Sequence, residues 1–215
     1  MSENCEIAGE VFYHLERKAD FVPDYTILVR LSFFNEGNIW NINLSDAEIH
    51  HENDIRKFLK NLLKDPHPKP VTIKKPSDER PRALGIPVDA PANVVIVLDT
   101  DTAWRFRKGK PAITAKGDYG DSNWGSWHVD EDGEPVDIFP AGCKIAYFSV
   151  ANRPALPNPH AVQSFNFHLE LQQEDRRWVE IIIDPDVPEV GGEDFPSKLR
   201  ILQKASRPNS VVRVI

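Results

Sequence analysis

The stretch QSFNFHLELQQEDRRWVEIIIDPDV, residues Gln163–Val187, decides the fold class. Phe165, Phe167, Leu169 and Leu171 alternate with Ser164, Asn166, His168, Glu170 and Gln172. A period of two puts one apolar and one polar face on an extended chain. A polar break, Gln173-Glu174-Asp175-Arg176, separates this run from a second one. There Val179, Ile181 and Ile183 alternate with Trp178, Glu180, Ile182 and Asp184. Two such runs across a short polar break predict a β-hairpin lying on a core. Asp184-Pro185-Asp186 ends the ladder, because proline has no amide hydrogen to donate.

Working outward, the same alternation predicts strands at Glu6–Glu16, Asp24–Phe34 and Ile39–Leu44. Val71–Lys75 reads as a short edge strand, and Leu199–Gln203 and Val211–Ile215 as terminal strands. Asn93–Asp99 and Lys144–Ala151 are almost continuously apolar, which suits strands covered on both faces. One helix is predicted near residues 45–64. Ser45 with Glu48 fits a capping box, and Ile55, Phe58, Leu59, Leu62 and Leu63 form a stripe at helical spacing. Asp54 is the alternative first-turn residue. Parallel strands need crossover connections, and one helix cannot supply many of them. The expected fold is therefore mainly β: one antiparallel β-sandwich domain over residues 1–215, with about 9–11 strands and a flanking helix. Long loops are expected at 76–91, 116–137 and 185–198.

The composition narrows the partners. The 215 residues carry 26 Lys and Arg against 33 Asp and Glu, a net charge of −7. Affinity for nucleic acid rests on basic clusters, so no nucleic-acid partner is expected. No apolar run approaches the roughly 20 residues of a membrane span, and no leader pattern opens the chain, so no membrane partner is expected either. Cys5 and Cys143 read as reduced thiols of a cytoplasmic protein.

Two strand endings carry suggestive chemistry. Val94–Leu98 runs into Asp99-Thr100-Asp101, and Val179–Ile183 into Asp184-Pro185-Asp186. Carboxylates at i and i+2 suit a hard cation, Ca or Mg, so Asp99, Asp101, Asp184 and Asp186 are the candidate metal ligands. The commoner use of such endings is an Asx turn that keeps the strand end solvated. VVIVLDTD, Val94–Asp101, also resembles the aspartate-x-aspartate strand end of glycosyltransferases with a nucleotide-sugar fold. That resemblance implies carboxylates holding a divalent metal against a diphosphate. It covers these eight residues only, and the βαβ units of that fold are missing upstream.

The segment Lys116–Asp137 gathers Tyr119, Trp124 and Trp127 beside His128 and several carboxylates. Tyr119, Trp124, Trp127 and His128 are the candidate ligand or interface residues, suited to stacking on a sugar ring or to a protein contact. The alternative is that the tryptophans fold back over the core. Gly120-Asp121-Ser122 is similar to an esterase nucleophile motif, but no histidine has the partner aspartate that family requires three residues before it. No phosphate-loop or dinucleotide fingerprint is present. His50 and His51 read as a solvated helix start, and His168 and Glu170 as exposed strand polarity rather than an acid/base pair. With no complete catalytic constellation, the sequence leans toward a non-catalytic interaction module that binds a protein partner or copies of itself. A lectin-like domain binding carbohydrate or calcium, and a metal-dependent enzyme using the paired carboxylates, are the alternatives.

Overall fold

A computed structural model describes residues 5–7, 10–12, 22–36, 39–74, 86, 88, 90–99, 103–115, 123–137, 142–150, 165–173, 176–183, 199–202 and 212–214. The first half of the chain forms β1 (Cys5–Ile7), β2 (Glu10–Phe12), β3 (Tyr25–Glu36), β4 (Ile39–Leu44), β5 (Ala47–His50), α1 (Ile55–Lys64), β6 (Thr72–Lys74) and β7 (Ala92–Asp99). The second half forms β8 (Trp104–Phe106), β9 (Ile113–Ala115), β10 (Asn123–Val129), β11 (Pro135–Val136), β12 (Ile145–Val150), β13 (Phe165–Gln172), β14 (Trp178–Ile183), β15 (Leu199–Leu202) and β16 (Val212–Val214). The protein is mainly β, as the alternation predicts. The strands outnumber expectation because several are only two to four residues long, too short to show a period.

The opening hairpin forms as predicted. β13 and β14 pair antiparallel, with Phe167 opposite Ile183 and Gln172 opposite Trp178. Arg176 takes φ 64 in the turn and donates its amide to the Gln173 carbonyl. Around the hairpin, β16, β14, β13 and β8 lie side by side, and β9 also pairs with β13, giving a five-stranded sheet. A nine-stranded sheet runs β11-β10-β12-β7-β3-β4-β15, with β5 on β3 and β6 on β5. β1 and β2 form a separate two-stranded ribbon.

The expected antiparallel sandwich is corrected to mixed sheets. β3 and β7 are adjacent and parallel, with Ile27 opposite Val94 and Leu31 opposite Leu98. β14 and β16 are parallel as well. The chain between β3 and β7 includes α1, so the single helix lies on the crossover that a parallel pair requires. The pairing among the described strands is otherwise antiparallel, so the sheets are mixed rather than wholly antiparallel.

Strand alternation builds three layers. Ile27, Val29 and Leu31 of β3, Val94, Ile96 and Leu98 of β7, and Ala146 and Phe148 of β12 share one buried cluster with Trp104, Phe106, Ile113, Phe167, Leu169, Ile181 and Ile183 of the small sheet. Aromatic pairs cross between the sheets: Phe33 stacks on Trp104 at 4.0 Å, and Phe148 meets Phe165 at 4.5 Å. The other face of the large sheet, with Leu28, Val95, Trp127 and Tyr147, packs on Phe58, Leu59 and Leu62 of α1. β7 is thus covered on both faces, as its continuous apolar run predicts. Each large side chain so buried contributes about 1.5–3 kcal/mol.

The helix is shorter than the predicted span 45–64. Ala47–His50 is the strand β5, paired with β3 and β6, and Ala47 and Ile49 enter the core. Ser45 is no cap; its hydroxyl accepts from the Arg30 amide at 3.0 Å. Asp54 is the N-cap, accepting from the Lys57 amide at 3.2 Å. His50, expected to be solvated, is buried against Phe58, with ring centroids 5.0 Å apart. The expected loop 116–137 contains β10 and β11, while 185–198 and most of 76–91 lie outside the described residues. No helix among the described residues is long and apolar enough to cross a membrane.

Candidate functional site

Strand alternation turns two of the predicted ligand residues apart. Trp127 and His128 are neighbours on β10 and therefore face opposite ways. Trp127 turns toward α1 and stacks on Tyr147, with centroids 4.7 Å apart and an interplanar angle of 22°. His128 is fully buried, and its Nε2 donates to the Arg107 carbonyl at 3.2 Å. Burial holds its pKa below the ordinary histidine value, against the backbone of Asp137 and Arg107, which favours the charged form. Trp124 lies in β10, and Tyr119 lies outside the described residues.

Of the predicted metal ligands, Asp99 ends β7 opposite Ser32, and Asp101, Asp184 and Asp186 lie outside the described residues. The two strands end at different parts of β13. β7 finishes beside Ser32 and Phe33, and Phe33 stacks on Trp104, the partner of Leu171. Ile183 of β14 pairs instead with Phe167. No group of three or more metal-ligating side chains occurs among the described residues.

The structure instead assembles a charged row on the outer face of the small sheet. β13 sends Phe167 and Leu169 inward, so His168 and Glu170 face outward. Register places Glu170 between Arg105 of β8 and Glu180 of β14. Two carboxylates directly opposite each other repel. Flanking arginines offset that repulsion: Arg105 Nε lies 2.7 Å from Glu170 Oε2, and Arg107 pairs with Glu180. The Arg105 guanidinium also lies 3.7 Å from the centroid of the Trp178 ring, a cation–π contact.

These charges are largely withdrawn from water. Side-chain exposure is 17% for Arg105, 13% for Glu170, 20% for Arg107 and 14% for Glu180. Burial pushes the Glu180 carboxyl above its ordinary pKa, against the pull of Arg107 and Lys110. His168 is 2% exposed and shares a 2.8 Å hydrogen bond with the Thr114 hydroxyl through Nε2. Burial, with Arg107 and Lys110 adding to it, lowers its pKa to about 3, so it is neutral at physiological pH. A half-buried row of cations and carboxylates with shifted pKa values is a recognised sign of a functional site. His168 and Glu170 were expected to be exposed strand polarity. The signal for them was their shared face on β13; what buries them comes from strands distant in sequence.

A cavity of about 340 Å³ lies between α1 and the large sheet. Ile55 and Arg56 of α1, Trp127 of β10, Pro135, Val136 and Asp137, and Tyr147 of β12 line it.

Residues 41–192, well over half of the chain, match a family described as a predicted novel nucleotide synthetase. The match takes in α1, the cavity and the whole charged row. No curated protein and no solved structure is significantly similar to the chain. The family overturns the expectation of a non-catalytic interaction module. That expectation rested on the absence of a complete catalytic constellation in the sequence, and residues brought together from separate strands leave no contiguous motif to find. The chain belongs to the predicted novel nucleotide synthetase family.

Proposed function

We propose that this chain is an enzyme that builds a nucleotide product by phosphoryl or nucleotidyl transfer, with the charged row of the small sheet as its active site. The observation that carries the reading is the grouping of Arg105, Arg107, Glu170, Glu180 and neutral His168, with Lys110 close by, inside the matched residues. Catalysis of such transfers is mostly positioning and charge stabilisation, which cations in a dry site supply. An incoming phosphate competes with Glu180 for Arg107, because guanidinium groups bind either anion through paired hydrogen bonds. The carboxylate released has an increased proton affinity from its burial. It is suited to accept the proton of an attacking hydroxyl as that oxygen bonds to phosphorus and the leaving group departs, nucleoside diphosphate in phosphoryl transfer or pyrophosphate in nucleotidyl transfer. Lys110 adds positive charge near both Glu180 and His168. Magnesium carried by the nucleotide polyphosphate as its counter-ion would supply further charge neutralisation.

The test is incubation of the purified protein with each nucleoside triphosphate, alone and in pairs with nucleoside monophosphates, in magnesium buffer, with products read by chromatography and mass spectrometry. A new nucleotide species is expected. It should fall by roughly 100-fold or more in Arg107→Ala and in Glu180→Gln variants that retain the wild-type circular dichroism. No product from any combination, or full activity in both folded variants, overturns the assignment.

A further inference from the structure

We infer that the cavity between α1 and β10–β12 is a second nucleotide site, separate from the charged row, that takes one nucleoside monophosphate. The two places lie on opposite sides of the molecule. The charged row is on the outer face of the small sheet, and the cavity is on the helix side of the large sheet. With packed sheets about 10 Å apart, both layers intervene.

Three features specify the ligand. Trp127 and Tyr147 are directly opposed on β10 and β12 and stack on each other. They give one wall of the cavity two aromatic rings, and base-on-aromatic stacking contributes about 1–3 kcal/mol whatever the base. Asp137 supplies a carboxylate at the same wall, an acceptor for a base amino group or a ribose hydroxyl pair. Pairing of Val136 with His128 ties that wall to β10. Arg56 supplies the charge for a phosphate. Its guanidinium is only loosely engaged, 3.7 Å from Glu134, whereas Glu134 is held by Lys60 at 2.5 Å. Arg56 can therefore turn to a ligand phosphate without stranding Glu134.

Size sets the limit. Ligand pockets run from about 300 to 1,000 Å³, so a cavity of about 340 Å³ suits one mononucleotide and not a dinucleotide. The site goes beyond the proposed activity and does not depend on it.

Isothermal titration calorimetry with AMP, GMP, CMP and UMP tests the inference, with ribose 5-phosphate and inorganic phosphate as parallel probes. At least one monophosphate should bind one-to-one. Arg56→Ala and Asp137→Asn, both changes at half-open or exposed positions, should each weaken it at least tenfold. Binding should persist in Arg107→Ala even where nucleotide synthesis is lost, which separates this site from the proposed catalytic one. The inference is overturned if none of the four binds at millimolar concentration, or if affinity follows Arg107 instead of Arg56. It also fails if ribose 5-phosphate or inorganic phosphate binds as tightly as the best mononucleotide, since no base is then being read.

Discussion

His168 shows how far burial changes a residue whose strand position is plain in the sequence. Its outward place on β13 follows from alternation with Phe167 and Leu169, yet it is 2% exposed with a pKa of about 3. A depressed pKa means that the unfolded chain takes up the proton first. The stability that neutral His168 contributes is therefore complete above the ordinary value near 6.5 and lost as pH falls toward 3. Within that window one such group removes about 1.4 kcal/mol per pH unit. Chemical denaturation from pH 7 to pH 4 should show this slope, and His168→Gln should reduce it by about one proton. An unchanged slope in the variant assigns the acid sensitivity elsewhere. Glu180 has the opposite sign: its raised pKa contributes stability below the ordinary carboxyl value, and that contribution fades as pH rises through the folded one. The two windows overlap above the ordinary carboxyl value of 4.5, where the two groups act with opposite sign, so the difference between wild type and the His168 variant isolates the histidine.

At the scale of elements, α1, the β10–β11 pair and β12 together form the helix-side cavity. Asp54 caps the helix from an extended backbone, φ −77 and ψ 98. Asp54→Ala should cost about 1 kcal/mol in urea denaturation, with no change in fold. A loss well under half of that would mean the helix starts elsewhere. The β10–β11 turn is drawn tight by Asp130, whose Oδ1 accepts from the amides of Asp132 at 3.0 Å and Glu134 at 2.8 Å. Gly133 within it has φ +80, and an added Cβ would lie 3.2 Å from the Lys60 amide nitrogen and from the Leu63 side chain. Gly133→Ala combines left-handed strain with crowding against α1 and should destabilise by about 1–3 kcal/mol, read by the same denaturation. A neutral result would mean that the turn can move away from the helix freely. The helix start shows the limits of local patterns: Ser45 with Glu48 and Asp54 both fit a cap, and only pairing of Ala47–His50 with β3 and β6 decides between them.

At the scale of the molecule, one buried cluster spans both sheets, so neither has an apolar face satisfied alone. Phe167 lies within it at 2% exposure. Phe167→Ala should cost about 3–5 kcal/mol. Calorimetry of the wild type should show one cooperative transition with matching calorimetric and van't Hoff enthalpies. Two separated transitions would show that the sheets unfold independently. The same closure buries the back of the small sheet's strands and leaves their other face to carry the arginines and glutamates.

By itself the sequence determined β3, β4, the β13–β14 hairpin, the double burial of β7 and the apolar stripe of α1, while the one strand expected at Glu6–Glu16 is broken into the paired strands β1 and β2. Each is a property of contiguous residues, because a side chain's face follows from its position in a repeating backbone. Only the tertiary structure decided the parallel pairing of β3 with β7, the division of 45–64 into strand and helix, and the two candidate sites. Arg105 meets Glu170 across 65 residues of chain, and Arg107 meets Glu180 across 73. Trp127 and Tyr147 come together only because β10 and β12 pair. No local pattern encodes such meetings: they are settled by which sheet arrangement buries the most apolar surface while leaving its charges paired.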